Sequence, residues 1–250
     1  MYSICMLCFN DGETVRDSIN SVLELSRSRE VEVVVVDNVS TDGSGEFLQK
    51  FNDAGSIKLI RTKCSRGKGR QIAFEASKGT YVLGHMDCDD IFNASGIDYL
   101  ISKYHAGFEG KAMMTKKINS PEASNITIAP RSVLEGVGGW RSINWGEDWD
   151  LWARLAAAGA YTFLPYPTER PPHASIKVRT ERFGGPTHGF RVRVSKYADS
   201  IRIGRKVFTP GEHVSPLQRV ALAVAKAEVT VGGSSLSPVL NPDFTEVTVS

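Results

Sequence analysis

The chain of 250 residues lacks any run of about eighteen apolar residues, the length that a membrane-spanning helix needs. Its first residues begin a strand pattern rather than a basic region followed by an apolar stretch, so no signal peptide is expected. Only four cysteines are present, in apolar settings, and this excludes a disulfide framework. The composition therefore favours a cytoplasmic protein, with a peripheral position at the inner face of the membrane as an open alternative.

A strong charge of either sign is also absent, because the net charge is +2. The charge is unevenly distributed: residues 166–250 carry 12 Lys and Arg against 7 Asp and Glu, and residues 1–165 carry 18 against 21. A basic C-terminal segment can contact anionic lipid or a phosphorylated acceptor, or can simply form a solvated surface. No interleaved aromatic and basic pattern is found, so a nucleic-acid partner is not expected.

Three carboxylates lie within four residues, at Asp87, Asp89 and Asp90, directly after the apolar segment 81–83. Crowded carboxylates repel one another and raise each other's pKa unless a hard cation lies among them. The cluster therefore predicts a site for Mg²⁺ or Mn²⁺, which could in turn hold a diphosphate. The alternative is an acidic turn that caps the helix expected from about Ala94.

Strand-like apolar runs alternate with amphipathic helical patterns, which is typical of an α/β fold with a mostly parallel sheet flanked by helices. The continuously β-branched run 31–36 predicts a strand buried on both faces. The other predicted strands are 2–8, 58–61 and 80–86, and the predicted helices begin near residues 15, 47, 71, 94, 147 and 216.

Polar residues follow the first two predicted strands. Asn10 and Glu13 come after the first strand, and Asp37 and Asn38 follow the second. Ligands of open α/β sheets bind outside the carboxyl ends of the strands, so these residues are candidates for ligand contact. Asp37 and Asn38 offer the acceptor and donor atoms that suit the edge of a nucleobase. A plain Asx turn explains the same residues equally well.

The segment 66–70 reads as a basic, glycine-interrupted loop that opens a helix. Lys68 and Arg70 could approach phosphate oxygens there, together with backbone N–H groups. The spacing matches neither a Walker A loop nor a dinucleotide fingerprint, so the ATPase and NAD-binding classes are disfavoured. A solvated basic loop is the alternative.

A second acidic cluster, Glu147 and Asp148, opens a predicted helix and follows the sequence Gly138-Gly139-Trp140. Carboxylates at a helix start can act only as caps, since the helix dipole favours negative charge there. Tryptophans surround the pair in sequence and could line a pocket. Desolvation in such a pocket would raise a carboxylate pKa toward the range of a general base.

In the order of its motifs, the chain resembles the family-2 glycosyltransferases of the GT-A fold over residues 2–165. The matching motifs are Phe9-Asn10, Val36-Asp37-Asn38-Val39-Ser40-Thr41-Asp42-Gly43, Lys68-Gly69-Arg70-Gln71, Asp87-Cys88-Asp89-Asp90, Gly138-Gly139-Trp140 and Glu147-Asp148. The chain departs from the family pattern at Asn38, Val39 and Gln71, where Asp, Gly and Asn are commoner. The segment after about residue 170 matches no pattern of the family.

The resemblance implies a metal-dependent, inverting transfer of a sugar from a UDP- or GDP-sugar to a hydroxyl of a glycan or lipid-linked glycan. It implies that Asp148, beside Glu147, acts as general base. It also implies a metal at Asp87, Asp89 and Asp90, with ribose contact at Asp87 or Asp89. The implied substrate-binding residues are Phe9, Asn10, Glu13, Asp37, Asn38, Lys68, Arg70, Asp87 and Trp140.

The expected organisation is a nucleotide-sugar-binding half at residues 1–105, an acceptor-binding half at 106–170 of the same domain, and a C-terminal extension at 171–250. Two other functions remain open: a sugar nucleotidyltransferase, and a non-catalytic nucleotide- or sugar-binding module. The final helix, 216–226, could rest on a membrane surface or dock on the core. His173, His188 and His213 are weak candidates for further ligands, since most such histidines are surface residues.

Overall fold

The structure is a computed structural model that describes residues 1–115, 126–164, 175–177, 186–203, 207 and 214–232. The strands are β1 (Tyr2–Cys8), β2 (Val31–Asp37), β3 (Lys58–Arg61), β4 (Tyr81–Asp87), β5 (Asp90–Phe92), β6 (Ala112–Thr115), β7 (Thr127–Pro130), β8 (Tyr161–Leu164) and β9 (Ser175–Lys177). The helices are α1 (Val15–Leu23), α2 (Ser44–Asp53), α3 (Arg66–Ala76), α4 (Ala94–Gly107), α5 (Arg131–Gly136), α6 (Glu147–Ala157), α7 (Pro186–Arg202) and α8 (Pro216–Gly232).

Seven strands form one sheet in the order β3-β2-β1-β4-β7-β6-β8, and β5 pairs with β9 in a small second sheet. The first four strands of that order are parallel, whereas β7 runs antiparallel to both β4 and β6. The predicted mostly parallel sheet flanked by helices is therefore confirmed. Parallel pairing brings the carboxyl ends of β1, β2 and β4 to one edge, which is where ligands bind in such sheets.

The β-branched strand β2 explains how the core is divided. Val33 and Val35 pack into one apolar cluster together with α1, while Val34 and Val36 pack into another together with α3. Successive side chains of a strand point to opposite faces, so a strand covered on both sides needs apolar residues at every position. The prediction that this strand is buried on both faces is confirmed.

The predicted start of the third helix was wrong. Helix α3 begins at Arg66, not near residue 71, and Ser65 caps it by accepting a hydrogen bond from the backbone N–H of Lys68. The two glycines that suggested a loop instead permit close packing. A Cβ on Gly67 would collide with the carbonyl oxygen of Arg141, and one on Gly69 would lie 2.8 Å from the Leu7 side chain.

The C-terminal extension contributes two helices that pack against each other. Val194, Tyr197 and Ala198 of α7 form an apolar cluster with Ala221 and Ala225 of α8. The predicted final helix is thus confirmed and extends to Gly232. Within the described residues it packs on α7 rather than on the main core, and it leaves Leu217, Val220 and Val224 exposed.

Two further sequence expectations concern membranes and histidines. No helix among the described residues has the length and apolar content needed to cross a membrane. His173 and His213 lie outside the described residues, as does the side chain of His188 in α7.

Candidate active site

Three strand ends converge on one edge of the sheet. Cys8 of β1 pairs with Asp37 of β2, and Leu7 pairs with Asp87 of β4 on the other side. The backbone N–H of Asn38 continues the ladder by donating to the carbonyl of Cys8. The polar residues after the first, second and fourth strands are therefore neighbours, as the sequence predicted.

Asp37 is fully buried and stabilises the loop that follows β2. Its Oδ1 accepts hydrogen bonds from the backbone N–H and the hydroxyl of Ser40, and its Oδ2 lies 2.8 Å from Nε of Arg61. Asn38 is partly buried, and its Oδ1 accepts from the backbone N–H of Cys64 at 2.9 Å. The buried charge of Asp37 is compensated by Arg61, as a carboxylate without exposure requires.

The loop after β1 is joined to the loop after β2 by several hydrogen bonds. Asn10 donates from its backbone to Ser40, and its side-chain oxygen accepts from the backbone of Thr41. Asp42 accepts from the N–H of Gly12 at 2.8 Å. Burial opposes ionisation of Asp42, but hydrogen bonds from Ser44 and Gly12 outweigh it and lower the pKa of this carboxyl. The two loops thus form one surface.

Two more predicted substrate residues lie on that surface. Phe9 is partly buried and donates its backbone N–H to Asp11, while Glu13 is exposed. Asn10 has a positive φ of 54°, a backbone conformation that asparagine tolerates better than most residues.

The acidic cluster lies at the turn between β4 and β5. No group of three His, Cys, Asp or Glu side chains able to hold a metal is found in the part of the chain that the structure describes. Asp87 ends β4 and contacts Arg70, whereas Asp89 and Asp90 are only 2% and 1% exposed and Asp90 already begins β5. Asp87 and Asp90 belong to successive strands, and the binding of an ion by these carboxylates stays a prediction.

Arg70 connects the two acidic clusters. Its Nη2 lies 3.1 Å from Oδ1 of Asp87, and its Nε lies 3.3 Å from Oε1 of Glu147. Burial alone would lower the pKa of Arg70, but the charges of Asp87, Glu147 and Asp148 raise it. Arg70 was predicted from the sequence to face phosphate; the structure shows it paired with carboxylates, and Lys68 is the exposed cation of this helix turn.

Glu147 and Asp148 differ in exposure although they are neighbours. Glu147 is 3% exposed, and burial raises its pKa although Arg70 and Arg66 oppose the shift. Asp148 is partly exposed, with its Oδ1 accepting from the backbone N–H of Trp149. Glu147 is therefore a buried partner of the arginines, and Asp148 is the carboxylate of the pair that faces solvent.

His85 lies beneath this site, in the bulge where the pairing of β1 and β4 shifts. Its Nε2 accepts from the indole N–H of Trp140 at 3.2 Å, which places the ring proton on Nδ1, 2.8 Å from the Thr127 hydroxyl. Burial, assisted by the charge of Arg70, lowers the pKa of His85 to about 3. The imidazole is therefore neutral and serves as a buried connection between β4, β7 and the Trp140 loop.

Trp140, a predicted substrate-binding residue, lies in the core. It is 3% exposed, and its ring packs against Phe74 and His85. Its backbone N–H also donates to the side chain of Gln71. The enclosed indole supports the loop that carries it.

The loop between Trp140 and α6 is held by buried charge. Asp150 is fully buried and pairs with both Arg141 and Arg154. Arg154 also donates to the carbonyl of Gly139 at 2.7 Å. This pairing fixes the loop against the first turns of α6, where the candidate base lies.

Sequence reasoning assigned no role to several residues of this site. They are Arg61, Arg66, His85 and Asp199. His85 stood inside the acidic motif and Arg66 inside the basic segment, so proximity in sequence could have marked both. Arg61 and Asp199 reach the site through tertiary contacts that no local pattern encodes.

Comparison with solved structures defines the class of this fold. A mannosyltransferase from Pyrobaculum calidifontis, solved with GDP-Man and Mn²⁺, matches with a TM-score of 0.61 and 15% identity over 94% of this chain and 76% of that chain. TarS 1-349 from S. aureus, solved with UDP-GlcNAc, matches with a TM-score of 0.57 and 16% identity over 92% of this chain and 72% of that one. The fold is that of the GT-A glycosyltransferases.

The family follows from the sequence itself. The model of the family described as "Glycosyl transferase family 2" matches residues 3–146, and the chain belongs to this family. Among curated relatives, the poly-beta-1,6-N-acetyl-D-glucosamine synthase of Staphylococcus epidermidis is 25% identical over 103 residues. That match covers 41% of this chain and 25% of the relative, so the chain spans about a quarter of the relative's length.

Proposed function

We propose that the protein is an inverting glycosyltransferase that moves a sugar from a UDP- or GDP-sugar to a hydroxyl of a glycan or lipid-linked glycan. The observation that carries this proposal is the double ion pair of Arg70, which brings the acidic turn after β4 next to Glu147 and Asp148. A donor whose diphosphate lies at the turn would thereby present its anomeric carbon toward the second cluster. The two solved structures named above support a nucleotide-sugar donor, since they contain GDP-Man and UDP-GlcNAc.

In this proposal the nucleoside lies on the joined loops after β1 and β2. Asn38, which is partly buried, contacts the base, and the buried Asp37 holds the loop in place. Phe9, Asn10 and Glu13 contribute the neighbouring surface. This assignment places the residues of 1–105 around the donor and leaves 106–170 for the acceptor.

The carboxylates of the acidic turn have the chemistry that a divalent ion requires. Hard cations prefer carboxylate oxygens, and Mg²⁺ is usually bound by one or two protein carboxylates together with substrate phosphates. Asp87 retains 23% side-chain exposure. Asp87, Asp89 and Asp90 would therefore supply carboxylate oxygens for Mg²⁺ or Mn²⁺, whose charge would stabilise the departing diphosphate. Lys68, exposed on the first turn of α3, adds positive charge for the same phosphates.

Asp148 is the proposed general base. It is the more exposed carboxylate of the pair, and its charge acts on both Arg70 and His85, so it lies within electrostatic range of the donor side. It would take the proton of the acceptor hydroxyl as the oxygen attacks the anomeric carbon opposite the diphosphate. The bond to the diphosphate breaks in the same step, and the configuration at the carbon is inverted.

A screen of nucleotide sugars tests the proposal. The full chain is incubated with UDP- and GDP-sugars and Mn²⁺, and released nucleotide is measured. Slow hydrolysis of one donor is expected even without an acceptor, because water can replace the hydroxyl. Binding of nucleotides without any release would favour a non-catalytic binding module instead.

Metal use has a test that does not depend on turnover. Titration calorimetry with UDP and GDP should show binding that weakens at least about tenfold when EDTA replaces Mn²⁺, and Asp89→Asn should weaken it similarly. Asp98→Asn is the matched control, since Asp98 lies on α4 and its carboxylate pairs with Arg29. Tight binding that ignores the metal would contradict this part of the proposal.

A further inference from the structure

We propose that Asp199, in the C-terminal extension, is a positioning residue for the segment that carries Glu147 and Asp148. The inference rests on the proposed function, because it gives α7 a role in aligning the proposed base. Asp199 lies more than fifty residues beyond the part of the chain that the family model matches, which ends at residue 146.

The contacts of Asp199 are specific to the loop before α6. Its Oδ2 accepts hydrogen bonds from two successive backbone N–H groups, those of Asn144 at 3.0 Å and Trp145 at 3.2 Å. Its Oδ1 accepts from Nη1 of Arg202 at 2.8 Å. The residue is 4% exposed, so both oxygens are used inside the interface between α7 and the loop. Hydrogen bonds to an ionised acceptor are roughly twice as strong as neutral ones.

The same loop is held on its opposite side by the start of α3. The backbone N–H of Gly67 donates to the carbonyl of Ile143 at 2.8 Å, and that of Arg66 donates to the side chain of Asn144 at 3.1 Å. The loop therefore lies between α3, which carries Arg70, and α7, which carries Asp199. Loss of the Asp199 contact would leave the loop held by α3 and by the ion pair of Arg141 with Asp150.

The loop needs such anchors because α6 begins without a side-chain cap. Gly146 occupies the N-cap position with a positive φ of 79°, and no side chain of that residue can bond the first turn. The backbone of residues 143–146 leads directly into the first turn and so contributes to the position of Asp148. A displacement of about 1 Å at a reacting group can cost on the order of a hundredfold in rate.

Asp199→Ala tests the inference in the full chain. The substitution removes the acceptor of both N–H groups, and we expect kcat to fall at least about tenfold while KM for the nucleotide sugar changes less than about twofold. Hydrogen exchange should accelerate at the amides of Asn144 and Trp145 and remain unchanged in β1. Ser200→Ala is the matched control, since Ser200 is also buried in α7 but donates only to the carbonyl of Lys196.

Asp199→Asn provides the milder variant if the alanine protein does not fold. The amide oxygen still accepts a hydrogen bond but lacks the charge, so exchange at the two amides should rise moderately and kcat should fall by a smaller factor. The inference is overturned if a folded Asp199→Ala protein has an unchanged kcat. It is also overturned if Asp199→Asn shows unchanged amide exchange or an unchanged kcat. If Asp148→Asn abolishes turnover and a folded Asp199→Ala protein keeps the wild-type kcat, only the positioning role fails. If Asp148→Asn is fully active, the proposed function itself fails.

Discussion

Nε of Arg70 lies 3.3 Å from Oε1 of Glu147, and both side chains are almost completely buried. Arg70 belongs to α3, and Glu147 opens α6. The pair therefore fixes the distance between α3 and α6 through a buried ion pair. Because the guanidinium also contacts Asp87, one side chain transmits a displacement of either acidic cluster to the other.

Arg70→Lys tests this connection. An ammonium group keeps the charge but not the planar fork that bonds two carboxylates at once. We expect turnover to fall at least about tenfold and the free energy of unfolding to fall by about 2 kcal/mol, less than the 3–5 kcal/mol for removing one partner of a buried pair. Steady-state kinetics and urea denaturation measure the two effects.

Arg66→Lys is the control for that variant. Arg66 lies 3.9 Å from the same Glu147 oxygen, but its side chain is 38% exposed, so solvent screens the pair. A smaller loss of stability is expected. Equal losses in the two variants would show that the buried geometry of Arg70 has no special role.

The lowered pKa of His85 predicts how the stability of the fold depends on pH. Its pKa is lowered to about 3 in the folded protein, whereas an unfolded histidine titrates near 6.5. The unfolded state therefore binds more protons between these values, and stability is lost as the pH falls through that window. Between pH 7.5 and 5.0 we expect a loss of about 2 kcal/mol from this group.

Urea denaturation of His85→Gln provides the comparison for this prediction. A glutamine can accept from Trp140 and donate to Thr127 but does not titrate in this range. The variant should start less stable at pH 7.5 and show a flatter dependence down to pH 5.0. A slope equal to that of the wild type would mean that His85 is not the titrating group.

The positive φ of Val39 predicts that glycine at this position stabilises the fold. This β-branched residue has a positive φ of 54° and is 47% exposed, so its backbone is strained and its side chain contributes little burial. Relief of such strain gains about 1–3 kcal/mol of stability. The greater conformational freedom of glycine in the unfolded chain cancels about 0.5–1 kcal/mol of that gain. Val39→Gly should therefore raise the free energy of unfolding by about 1 kcal/mol.

Val220→Gly is the matched control. Val220 is 54% exposed and lies in α8. Glycine in a helix interior is less favourable than valine, so this variant should lose about 0.5 kcal/mol. Thermal unfolding of both variants tests this prediction. If Val39→Gly loses as much stability as Val220→Gly, strain at Val39 is excluded.

Much of the fold could be predicted from the sequence because its signals are local. β1 and β3 were predicted with the bounds that the structure shows, and α1 buries Val15, Ile19 and Val22 as their spacing indicated. Continuous β-branched residues identified β2 as a strand covered on both faces. These features depend on periodicity and backbone preference, which the sequence displays directly.

The errors have a different physical origin. Gly67 and Gly69 suggested a loop because glycine is unfavourable in helices, but both are needed where α3 contacts other parts of the chain closely. Trp140 and Arg70 were predicted to contact substrate, and their local motifs did not reveal that each also has a distant partner in the fold. Such partners depend on the tertiary fold. Asp199 was not predicted for the same reason, because its partners Asn144 and Trp145 lie more than fifty residues away in sequence.

The role of Asp148 is the central claim, and one substitution tests it most directly. Asp148→Asn keeps the size and the hydrogen-bond acceptor of the side chain but removes its basicity. Turnover of the donor sugar by the variant is compared with nucleotide affinity measured by titration calorimetry in the presence of Mn²⁺. The account predicts that turnover falls about a hundredfold or more while nucleotide affinity stays nearly the same. Turnover equal to that of the wild type would contradict it.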